Sequence, residues 1–230
     1  MSEGMHVVRA ERRTTAPAKP LLRGYSHAAA AILAVLGTVR LLQLTAGDPP
    51  KQLTMLIYGA SAILLFTVSA LYHVGPWSPR RRVRLRQLDR AAIFVLIAGS
   101  YTPAVFNLLT GWWRNSLLAA AWGLAALGVV AVAPALHLPR QLVTTLYVTL
   151  GWIALVALPQ VVTLLGAAHL LLPLVAGALY TAGALVYACR WPPLWPRVFG
   201  YHELFHLVVV MASTLVFLFM LQDVVPFVRR

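Results

Sequence analysis

The chain has 230 residues, 60% of them hydrophobic and 11% charged, which excludes a disordered chain and is unlike an ordinary soluble domain. Nineteen Lys and Arg against six Asp and Glu give a formal net charge of +13, yet the basic residues sit in short segments between apolar runs rather than on one face of a soluble domain, so nucleic acid is not the expected partner. Lipid headgroups are the anionic surface this pattern suits, and the single cysteine, Cys189, excludes an internal disulfide framework.

Residues 1–24 are polar and basic, and the apolar run that follows is too long for a signal-peptide core; they are expected to form a cytoplasmic tail. Crossing about 30 Å of hydrocarbon takes roughly 20 helical residues. Seven runs meet that length, near 26–45, 53–73, 90–109, 116–136, 141–159, 168–189 and 204–222, separated by turn-rich pieces such as AGDPPK, HVGPWSPRRRVRLR, TGWWRNS and RWPPLWPRVFGY. The expected fold is all-α: a seven-transmembrane helix bundle over 25–222, with a short tail at 223–230. The boundary between runs five and six is the least marked, because 159–170 is apolar and almost uncharged.

Placing the N-terminus inside puts fourteen of the nineteen Lys and Arg on the cytoplasmic side, among them Arg80, Arg81, Arg82, Arg84, Arg86 and Arg90, and leaves the C-terminus outside. The RRRVRLR run is expected to act as a headgroup anchor; the alternative is a specific lipid site. Trp112 and Trp113 suit an outer aromatic belt, and Trp77, Trp191 and Trp195 an inner one. Pro103 should kink span three, where Ser100, Tyr101 and Thr102 could shape a cavity or serve helix packing.

Two of the six acidic residues, Asp89 and Glu203, fall where spans three and seven begin, and ionisable groups at such depth default to functional candidates. His73 closes span two; His202 and His206 open span seven. These three positions lie on the cytoplasmic side of the proposed topology, so His73, Asp89, His202 and His206 should share one membrane depth. His202 and His206, at i and i+4, have Cβ atoms about 5–6 Å apart on one helix face, and can share a Zn2+ ion with His73. Three protein ligands leave a position for water, the arrangement of catalytic zinc. Asp89 is then the group that holds and deprotonates that water. Ser69, one turn before His73, could hydrogen-bond a substrate carbonyl, or simply pack between helices. Glu203 has the offset of the general base in H-E-x-x-H peptidases, or it could be an interface anchor near Arg197. A lone HELFH is a weak signal; its convergence with His73 and Asp89 strengthens it.

The stretches KPLLRGYSH (19–27), SALYHVGPWS (69–78), LDRAAIFVLIAGSYTP (88–103) and GYHELFH (200–206) together resemble the hemolysin III family, the bacterial branch of the progestin and adipoQ receptors, within a superfamily that includes alkaline ceramidases. The resemblance implies seven spans, with the Ser-x-x-x-His motif at Ser69 and His73, the aspartate of span three at Asp89 and the His-x-x-x-His motif at His202 and His206. It places zinc on the three histidines and the aspartate against the metal through water. The span-seven motif needs no Glu. Hormone reception is not expected, because the basic tail has no counterpart of the hormone receptors' extracellular domain. The expected activity is zinc-dependent hydrolysis of a lipid amide or ester within the cell membrane. The alternatives are a non-enzymatic regulator of membrane lipid or a pore-forming hemolysin with structural zinc, and, third, an intramembrane peptidase dependent on Glu203. No soluble partner is evident.

Overall fold

A computed structural model describes residues 22–133, 136, 138–195 and 198–229. The structure of most of the expected tail, and that of His137 and Arg197, lies outside the described residues. The helices are α1 (Tyr25–Leu44), α2 (Pro49–Val74), α3 (Pro79–Leu108), α4 (Gly111–Ala131), α5 (Arg140–Trp152), α6 (Leu158–Leu165), α7 (Leu171–Cys189) and α8 (Tyr201–Phe219). A 3-10 segment, Ile153–Ala157, joins α5 to α6; Ala167–Leu170 leads into α7, and a π turn, Met220–Val224, extends α8. Together they make seven helical stretches long and apolar enough to cross a membrane, the fifth being Arg140–Leu165. The protein is a multi-pass membrane bundle.

Several boundaries differ from the apolar runs: α4 spans Gly111–Ala131, five residues earlier than the expected 116–136, because Gly111, Trp112 and Trp113 open the helix instead of lying in a turn, and the largest changes are at α3 and the fifth stretch. Helix α3 begins at Pro79, so the arginine-rich run expected in a loop is the first third of a 30-residue helix. Proline suits the first helical position, and arginine is a good helix former whose charged head stays hydrated beyond the hydrocarbon. The fifth stretch continues past Pro159 to Leu165 because that proline sits in the first turn of α6, where its missing N–H costs no hydrogen bond. It ends at Gly166, whose φ of 88° few other residues adopt.

Helix α2 packs between α1 and α3, α7 lies along α8, and α3 also carries α4. Small residues permit these approaches. A Cβ on Gly59 would sit 2.2 Å from Thr38 Oγ1, and one on Gly99 2.2 Å from Ser61 Oγ, so the small Thr38 and Ser61 side chains rest directly on the glycine backbones where α1 meets α2 and α2 meets α3. One core joins Leu41, Met55, Tyr58, Phe66, Leu96 and Met220; a second, around Phe94, Ala121 and Val143, holds α3, α4 and α5. Large apolar side chains such as Ile32, Leu33, Leu36 and Leu127 point outward, 62–67% exposed, as lipid-facing positions do.

Pro103 lies inside α3 without ending it, and Thr102 is buried and accepts a hydrogen bond from Trp122 Nε1 at 3.1 Å. The Tyr101 hydroxyl donates to the carbonyls of Leu150 and Gly151, just before the chain tightens into the 3-10 segment. Trp191 and Trp195 are exposed near the start of α8 and Trp112 at the opposite end, whereas Trp113 packs into a small core. At that opposite end buried Lys51 donates to the Val225 and Phe227 carbonyls (2.9 and 2.6 Å), Arg229 pairs with Asp48, and His169 pairs with Asp223. The segment after α8 is thereby tied to the bundle.

Candidate metal centre

The C-terminal end of α2, the N-terminal half of α3 and the N-terminal turns of α8 meet at one end of the bundle. His73, His202 and His206 offer one ligand atom each, all within 4.8 Å of one another. Their ring centroids form a nearly equilateral triangle with sides of 4.7, 4.7 and 4.8 Å. His73 Nε2 and His202 Nε2 face each other at 3.2 Å, already close to the ~3.3 Å separation of two ligands bound to one tetrahedral ion at roughly 2.0–2.1 Å. His206 Nδ1 is buried with no hydrogen-bond partner among the described residues, and leaving such a nitrogen unsatisfied costs about 1–3 kcal/mol. Three converging imidazoles with an orphaned nitrogen suit a borderline-soft divalent cation. The donor set fits a metal.

Asp89 stands beside the cluster rather than in it. Its Oδ2 is 3.8 Å from His73 Nε2, too far for a direct hydrogen bond. Ser69, 1% exposed and one turn before His73, lies next to the Asp89 carboxylate and lines the same cavity. Serine, aspartate and the three histidines are therefore contiguous.

Glu203 is engaged elsewhere. Its Oε2 accepts the Gly200 N–H at 2.8 Å, which caps the first turn of α8, and its Oε1 accepts from Arg23 Nε at 2.6 Å. With both oxygens occupied and the residue 3% exposed, it has the connections of a structural anchor. Its partner is Arg23; Arg197, the neighbour expected from sequence, lies outside the described residues.

A fourth histidine joins this end of the bundle. His27, 2% exposed, stacks on His206 with centroids 3.9 Å apart and rings 8° from parallel, and its edge meets Phe66. Neither ring nitrogen has a hydrogen-bond partner among the described residues. The signal was available: span one begins on the same side as spans three and seven. Gly24 makes the approach possible, since it adopts φ +91° and a Cβ there would lie 2.8 Å from His73 Cβ.

Two cavities flank the cluster. An apolar one of about 290 Å³ runs between α3, α5, α7 and α8; Ser69, Ser100, Tyr101 and His206 are among its polar lining. The second, about 310 Å³, is a polar vestibule lined by Arg23, Arg82, Arg86, Arg90 and Arg140 with Tyr72 and His73. Asp89, Arg90, Arg140, Tyr187 and His202 line both, so the two spaces adjoin beside the histidines.

A family model of haemolysin-III related proteins matches residues 15–217. The chain belongs to that family. It is 29% identical to Hemolysin-3 of Bacillus cereus over 217 residues, covering 94% of this chain and 96% of that protein, and 28% identical to the Hemolysin-3 homolog of Bacillus subtilis (strain 168), covering 84% and 88%. Over 83 residues, 34% of each chain, it is 35% identical to the human monocyte to macrophage differentiation factor. Apart from residues 19–21, which precede the described part of the chain, the motifs quoted from the sequence lie at the start of α1, the end of α2, along α3 and at the start of α8.

Proposed function

We propose that this haemolysin III-related protein is a zinc-dependent hydrolase of lipid amides or esters. What carries the proposal is the position of a three-imidazole cluster, with a carboxylate and a serine hydroxyl beside it, where an apolar cavity meets a polar vestibule. His73, His202 and His206 would hold zinc, and the orphaned Nδ1 of His206 supports that assignment. When bound, zinc supplies Lewis acidity and lowers the pKa of water toward about 7.

The chain's own residues do the rest. The apolar cavity takes the acyl chain, and the polar vestibule keeps the headgroup hydrated. Asp89, half-buried and 3.8 Å from His73, accepts the proton of the attacking water and returns it to the leaving amine or alcohol. Ser69, next to the Asp89 carboxylate, turns its hydroxyl toward the carbonyl oxygen as negative charge develops there. His27, stacked on His206, fixes the plane of that ring.

The test is zinc stoichiometry by elemental analysis on the detergent-purified chain, followed by release of fatty acid from ceramide, phospholipid and acyl-amide panels. About one zinc per chain together with zinc-dependent release supports the proposal. A folded chain without zinc, or a zinc-loaded chain inert on every panel, defeats it. The burial of His73 and His206 between α1, α2 and α8 also suits a purely structural metal in a non-enzymatic protein; in that case chelation would lower thermal stability sharply and no substrate would turn over.

A further inference from the structure

Arg82, Arg86 and Arg90 succeed one another at i, i+4 and i+8 on α3 and so lie along one face, the face that lines the vestibule. Arg80, Arg81 and Arg84, from the same basic run, do not line it. Arg140 closes the opposite side, its guanidinium 5.1 Å from the Tyr187 ring centroid, one nitrogen donating to the Ala188 carbonyl and its buried Nε without a hydrogen-bond partner among the described residues. Among the described residues five arginines line the vestibule, of which Arg23 is taken by Glu203, and Asp89 is the one carboxylate. Among the described residues none of Arg82, Arg86 and Arg140 has an acidic partner within ion-pair distance. Like charges one helical turn apart repel, and guanidinium forks match the oxygens of a phosphate.

We propose that this vestibule is a phosphate site for an anionic glycerophospholipid, whose acyl chains pass the histidines into the apolar cavity. Asp89, Arg90, Arg140, Tyr187 and His202 line both spaces, so the polar chamber lies directly against the apolar one. A zwitterionic headgroup would bring its own cation among the arginines, and a free phosphate would leave the apolar cavity unused. The proposal names the substrate class of the hydrolase described above, and it rests on that activity for the lipid's fate but not for its binding.

The experiment uses the full chain, zinc-loaded, in neutral detergent. Phosphatidylglycerol, phosphatidylcholine with the same acyl chains, and inorganic phosphate are offered separately; native mass spectrometry and thermal shift read retention. Phosphatidylglycerol is expected to be retained in preference to phosphatidylcholine, with inorganic phosphate giving little shift. At roughly fivefold per arginine, Arg82→Gln with Arg86→Gln should weaken phosphatidylglycerol retention on the order of 25-fold, whereas Arg81→Gln with Arg84→Gln, the same charge change on the same helix, should stay within about twofold. All four residues are exposed, so both variants should fold. Equal loss in the two double variants would reduce the run to a diffuse headgroup anchor and overturn the proposal. So would equal retention of the two lipids, or inorganic phosphate binding as tightly as phosphatidylglycerol. Hydrolysis is assayed on the same samples: selective retention without turnover removes the hydrolase and leaves the phosphate site, while turnover without selectivity does the reverse.

Discussion

Glu203 separates a peptidase-like base from a helix cap, and the two make opposite forecasts for a pair of substitutions. In Glu203→Ala the Gly200 N–H loses its cap acceptor, a loss of about 0.5–2 kcal/mol. Arg23 is also stranded. A fully buried pair broken in this way loses about 3–5 kcal/mol, but the Arg23 side chain is 25% exposed and water recovers part of that, leaving about 1–2 kcal/mol. The total, about 3 kcal/mol, corresponds to a fall in Tm of about 6–12 °C for a chain of this size. Glu203→Gln keeps a carbonyl oxygen for one of the two donors, turns its NH2 toward the other and loses the charge, about 1.5 kcal/mol and about 3–6 °C. Thermal unfolding in detergent, with zinc content measured in parallel, should give that order with zinc unchanged in both. Equal Tm for Glu203→Ala and the parent, or loss of zinc from Glu203→Gln at unchanged Tm, would refute the capping argument and return Glu203 to the metal site.

The other expectations concern the site and the packing beneath it. His73→Ala and His202→Ala should each reduce zinc from about one per chain to near zero by elemental analysis, because two imidazoles hold the ion far less well than three. Asp89→Asn should retain zinc yet lower fatty-acid release by about 10²–10⁴-fold, the usual range for removing a general acid–base group. Ser69→Ala should lower release about 10²–10³-fold with zinc retained; loss of zinc in either variant would contradict the assigned roles. Gly59→Ala drives a Cβ into Thr38 and should destabilise the chain by about 1–3 kcal/mol. Gly123→Ala, with nothing within 4 Å of the new atom, should match or exceed the parent in a thermal scan.

The number of membrane-spanning helices was legible in the sequence because hydrocarbon demands about 20 apolar residues in a row, a one-dimensional requirement. The alternation of sides that follows from it was enough to bring His73, Asp89, His202 and His206 to one depth, and the i, i+4 spacing of the last two histidines put them on one face. Helix ends were less legible, since a basic run reads alike as loop or as hydrated helix; the fold showed that Arg80–Arg90 forms the first turns of α3. What tertiary structure alone decided are the contacts across chain separations too long for any pattern to encode. It paired Glu203 with Arg23, 180 residues away. It laid His27 against His206, through an approach that depends on Gly24 having no Cβ. It also selected three arginines from a run of like residues by turning one face of α3 toward the vestibule. Hydropathy records whether a residue meets water or lipid; which side chain it meets depends on helix rotation and close packing, and those are settled between elements.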